Sequence, residues 1–125
     1  MLFVSFLEYL FLGCIALITC FIVHEGGHYI TSVIYGHPIK FRFSFGLLFN
    51  KILIPRYVWF MPVEFNDTER KIVAAMGFIS EIVFGAILLL LFNSHFSTIY
   101  AIISLLHLGL YNFYAGDNSD FKFFN

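Results

Sequence analysis

The chain has 125 residues, enough for one compact unit and too few for two. Hydrophobic residues make up 60% and charged residues 12%, roughly half the charge of a soluble domain, so the composition is that of an integral membrane protein. A net charge of −1 leaves no basic face for nucleic acid.

Three apolar stretches approach the ~20 residues that a bilayer-crossing helix needs. The first, residues 2–23, is interrupted only by Glu8. No Lys or Arg precedes it, and cleavage near Cys20 would leave the following histidines at a ragged terminus, so a signal peptide is disfavoured. Cys14 and Cys20 would point about 120° apart on one helix and cannot pair. Helix 1 is expected over about 4–36, because nothing breaks it before Gly36 and Pro38. From Tyr9 to Tyr35 it would be about 40 Å long, longer than the hydrocarbon core, and would carry His24 and His28 roughly 22–28 Å from its outer end.

The segment 38–65 is not polar. Lys40-Phe41-Arg42-Phe43-Ser44-Phe45 alternates with period 2, a strand with phenylalanines on one face. The aromatic-rich stretch from Lys51 to Phe65 has Pro55 and Pro62 as breaks. These segments are expected as strands at the membrane interface, paired or laid against the bundle because open edges cannot face lipid tails. Asn66-Asp67-Thr68-Glu69 forms a cap region for helix 2, expected over about 70–92. That helix carries Ala74, Gly77, Glu81 and Gly85 on one face, where small residues permit close packing. Glu81 should therefore point inward, and a hydrogen-bonded packing role is favoured over a catalytic one. Helix 3 is expected over about 96–115. The fold class is thus an all-α membrane protein, a single domain over 1–125. It has three transmembrane helices and a strand-like interfacial insertion between helices 1 and 2. Six basic residues, Lys40, Arg42, Lys51, Arg56, Arg70 and Lys71, lie between the first two spans, and Lys122 follows the third. That distribution puts the long loop and the C-terminus in the cytoplasm and the N-terminus outside.

The chemistry is concentrated in His24-Glu25-Gly26-Gly27-His28. Histidines four apart share one side of a helix and can hold one Zn²⁺. Glu25 is placed to take a proton from a zinc-polarised water, the H-E-x-x-H arrangement. The competing reading is a pair of histidines satisfying each other in a polar seam, and the cost of ionisable groups in a membrane weighs against it. Catalytic zinc takes a third protein ligand, and Asp117 and Asp120 follow helix 3 at about the depth of the histidines.

On these motifs the chain resembles the site-2 protease family of intramembrane zinc metalloproteases, in a minimal three-helix form. Gly36 lies eight residues after His28, Phe43-Ser44-Phe45-Gly46 fits a Phe-Ser-x-Gly segment, and Ala75-Met76-Gly77-Phe78 matches Ala-x-Gly-Pro except at the last position. In the segment 112–121, Asn112 and Asp120 keep the spacing of N-x-x-P-x-x-x-x-D-G, with Ala115 and Phe121 replacing its proline and glycine. The resemblance implies one Zn²⁺ per chain held by His24, His28 and Asp120, with Glu25 as catalytic base. Asp117 stays open as a rival ligand. Asn112 is a candidate oxyanion donor, against an equal reading as an interhelical hydrogen-bonding residue. The implied partner is a transmembrane protein or peptide substrate in the lipid bilayer. The alternation of Lys40–Phe45 separately suggests capture of an unwound substrate by strand addition. Homo-oligomer formation is left open.

Cys20, on the histidine face, is expected as a small buried residue. His37, His95 and His107 are left as structural or exposed. Two other readings remain: a non-catalytic metal-binding membrane protein of the same fold that regulates or binds partners, and a structural three-helix packing subunit.

Overall fold

The computed structural model of the chain describes residues 2–115 and 120–124. Three helices and one hairpin account for it: α1 (Leu2–Ile34), β1 (Lys40–Leu48), β2 (Ile52–Phe60), α2 (Asp67–Leu91) and α3 (His95–Ala115), followed by a short 3-10 helix, Asp120–Phe124. The three helices pack pairwise, and the 3-10 helix lies against α2.

The expected α1 is present, continuous through both histidines. It ends in a Schellman turn: His37 N–H donates to Ser32 O at 3.1 Å and Gly36 N–H to Val33 O at 2.9 Å. Gly36 takes the left-handed conformation this turn demands, with φ +86°. The Ser32 hydroxyl then receives Ile39 N–H at 3.0 Å, which aims the chain into β1. α2 starts three residues earlier than expected because Asn66 and Glu69 form a reciprocal capping box.

α1 and α2 are long and apolar enough to cross a membrane, whereas the described apolar stretch of α3, His95–Tyr111, is shorter. Their outward faces carry large apolar side chains such as Phe11, Ile18, Ile22, Leu90 and Leu105, all more than half exposed. That pattern leaves polar groups as the exceptional content of the interior.

The strands expected within 38–65 form one two-stranded antiparallel ribbon, with Lys40 opposite Phe60 and Leu48 opposite Ile52. Pro55 is not a break. It lies within β2 opposite Phe45, because a two-stranded ribbon leaves each strand an unpaired edge where a proline is tolerated. Phe43 and Phe45 stand on one face, as the alternation requires, and are mostly exposed. The base of the hairpin is anchored by a small core of Ile39, Phe65 and Val73, with Tyr35, Trp59 and Met61 packed around it.

A second core joins the helices away from the hairpin, where Ala16, Cys20 and Tyr100 are buried among Phe84, Leu88, Phe96, Ile99 and Ile103. The expected inward face of α2 is confirmed: Ala74, Gly77, Glu81 and Gly85 are all buried. Close approach of α1 and α2 depends on Gly27, where a Cβ would strike the Met76 carbonyl and the Ser80 hydroxyl. A backbone carbonyl cannot swing aside. Gly27→Ala is therefore expected to destabilise the protein by about 1–3 kcal/mol despite alanine's better helix propensity. Gly109→Ala, which meets nothing within 4 Å, should be neutral or mildly stabilising. Thermal unfolding in detergent compares the two.

Candidate metal centre

α1 presents Cys20, His24 and His28 in successive turns of one face, all buried. The 3-10 helix brings Asp120 to the same point, 2% exposed. Asp120 Oδ2 lies 3.1 Å from His24 Nε2 and 3.0 Å from His28 Nε2, and the two nitrogens are 3.1 Å apart. These three residues form a buried group able to hold a metal ion. The sequence-level choice of His24, His28 and Asp120 thus corresponds to one compact cluster. Asp117 and the side chain of Asn112 lie outside the described residues, so neither role assigned to them is placed.

The partners of the other ring nitrogens decide what this cluster is. His28 Nδ1 faces the Val73 carbonyl at 2.7 Å. A carbonyl only accepts, so Nδ1 carries the proton and Nε2 a lone pair. His24 Nδ1 faces the Glu81 carboxylate at 2.5 Å, which likewise draws the proton to Nδ1. The two Nε2 atoms therefore face each other and a carboxylate oxygen at hydrogen-bond distance, a set that either a proton on an imidazole or a bound cation can hold together. Burial alone would push the Asp120 carboxyl up, but its contacts with His24 and His28 reverse this and hold it well below the ordinary carboxylate range. The Asp120 backbone N–H donates to the Tyr111 hydroxyl at 3.2 Å, which ties the 3-10 helix to α3.

Glu25 is adjacent in sequence and partly buried. Its Oε2 is the buried side-chain oxygen without a hydrogen-bond partner among the described residues. Buried polar atoms are nearly always satisfied, so this orphan on the residue next to His24 stands out. The ring of Trp59 lies over His28, with centroids 4.6 Å apart, and stacks on Phe123 at 5.9 Å. The hairpin and the 3-10 helix together cover that side of the cluster.

Three contributors were not singled out from sequence. Glu81, read as a packing residue, contacts a ligand histidine directly. His107, set aside as structural or exposed, places Nδ1 2.7 Å from Glu81 Oε1. Tyr111 supports Asp120. The available signal was Ser104, His107 and Tyr111 in a helical i, i+3, i+7 stripe on an otherwise apolar helix. Gly77 is what admits the imidazoles: a Cβ there would come within 2.5 Å of His28 Nε2 and 2.7 Å of His24 Cε1.

No family model, curated protein or solved structure matches this chain.

Gly77→Ala is expected to displace both histidines and weaken metal binding at least tenfold, with helix content retained. Gly109→Ala should leave metal binding unchanged. Metal titration in detergent, alongside circular dichroism, checks the pair.

Proposed function

We propose that this protein is an intramembrane zinc metalloendopeptidase that hydrolyses a peptide bond in or near a transmembrane segment. In this reading all three helices cross the membrane, the N-terminus is outside, and the hairpin and C-terminal segment are cytoplasmic. The observation that carries the reading is the convergence of His24, His28 and Asp120 on one buried point, with the unpartnered Glu25 Oε2 on the residue next to His24 in α1. Two imidazole nitrogens and one carboxylate oxygen, 3.0–3.1 Å from one another, are a donor set of the kind that binds zinc. The motif resemblance adds to this.

His24, His28 and Asp120 would hold the zinc, which would supply Lewis-acid polarisation of the scissile carbonyl and lower the pKa of water toward ~7. Glu25 takes the proton of the attacking water on its free carboxylate oxygen. As the new C–O bond forms and the C–N bond breaks, Glu25 passes that proton to the leaving amine. Trp59 and Phe123 limit access of bulk water over His28. A helical substrate must unwind to expose its amide, and the unpaired edges of β1 and β2 offer an extended peptide backbone hydrogen bonds by strand addition.

The wild-type protein should purify with about one zinc per chain, and His24→Ala and Asp120→Ala should each lose it. Glu25→Gln should keep zinc and lower cleavage of single-span membrane proteins co-reconstituted in liposomes by at least ~100-fold. Zinc retention with no Glu25-dependent cleavage would instead favour the non-catalytic metal-binding reading.

A further inference from the structure

Glu81 is fully buried, on a helix that the preceding reading places in the bilayer. Such a carboxyl usually escapes its cost by taking up a proton. Its surroundings oppose that. Oε1 faces His24 Nδ1 at 2.5 Å and His107 Nδ1 at 2.7 Å. Oε2 receives the Cys20 thiol at 2.9 Å and the Ser104 hydroxyl at 3.1 Å. Four donors thus converge on two oxygens, two on each, and fill the acceptor capacity of a carboxylate. A carboxylic acid would set its own proton against one of these donors. Cys20, Glu81 and His107 also lie close enough together to hold a metal ion. There, however, every contact pairs a donor with an acceptor, so hydrogen bonding alone accounts for the group.

We propose that Glu81 is the positioning residue of the metal centre: it holds the His24 proton on Nδ1 so that Nε2 faces the ion, and through His107 and Ser104 it fixes the setting of α3, from which Asp120 is delivered. Three helices meet at this one side chain: Cys20 and His24 from α1, Glu81 from α2, Ser104 and His107 from α3. One helical turn beyond His107, Tyr111 receives the Asp120 backbone N–H, so the setting of α3 reaches the third ligand through a direct contact. Charge accounts for a second part of the design. Asp120 and Glu81 together neutralise one divalent cation, and the assembly carries no net charge into apolar surroundings before Glu25 is counted.

This inference rests on the metal reading above, and its test separates the two. Glu81→Gln places an amide N–H₂ against one of the two donor pairs. Removing such an outer partner of a ligand histidine weakens metal affinity by about 10–100-fold. The variant is expected to bind Co²⁺ with affinity reduced by that factor and with an altered visible absorption spectrum, at wild-type helix content. If Glu81→Gln fails to fold, His107→Ala takes its place. That side chain is the most exposed member of the network, and its loss should shift the Co²⁺ spectrum and weaken binding severalfold. Wild type that binds Co²⁺ together with folded variants whose affinity and spectrum match it would overturn the positioning role while leaving the metal centre intact. Wild type that binds no metal would overturn the metal reading itself. Two metal equivalents per chain, reduced to one by Cys20→Ser, would replace the positioning role with a second metal site.

Discussion

A buried polar atom is costly unless a donor or a cation faces it, because burial strips away the water that would satisfy it. At the centre of this protein three polar atoms, from His24, His28 and Asp120, stand 3.0–3.1 Å from one another. Their arrangement is enforced from outside the cluster. The Val73 carbonyl accepts from Nδ1 of one imidazole and the Glu81 carboxylate from Nδ1 of the other. Each ring thereby turns its Nε2 inward. The close packing of α1 on α2 around Gly27 and Gly77 places the rings, and the 3-10 helix supplies the carboxylate. The rest of the molecule can be understood as the framework that brings these three atoms together and shields them from solvent.

The framework is economical in its use of polarity. Outward faces are apolar nearly throughout, so each polar side chain that remains inside has a partner that accounts for it. Ser32 closes the turn into the hairpin, Ser97 donates to the Leu88 and Phe92 carbonyls at the end of α2, and Ser104 reaches Glu81. Glu25 Oε2 departs from this pattern among the described residues. With the other buried side chains paired among the described residues, one unpaired buried oxygen on the residue next to His24 carries more weight than it would in a polar protein.

Much of this was legible in the sequence, for reasons that differ by element. The helices could be read because apolar runs of spanning length admit few alternatives, and Gly36 and Asn66 punctuate them with local chemistry. His24 and His28 could be paired because the helical repeat fixes what lies four residues on. Asp120 was placed by the spacing of the family motif and by the depth expected of helix 3, and it does lie beside the histidines. The Glu81 network was not legible. Its partners lie 57 and 26 residues away on other helices, and no local period connects residues across a bundle. Pro55 misled because proline usually ends a strand, and a sequence does not reveal that the strand will have a free edge.

The order in which the ligands occur along the chain has a consequence for biogenesis. His28 and Asp120 are separated by 92 positions, with all of α2, α3 and the hairpin between them. During synthesis α1 emerges long before Asp120, so the three side chains cannot meet until α2, α3 and the hairpin have docked. The buried cluster is then a late closure, a clasp between segments made far apart in time.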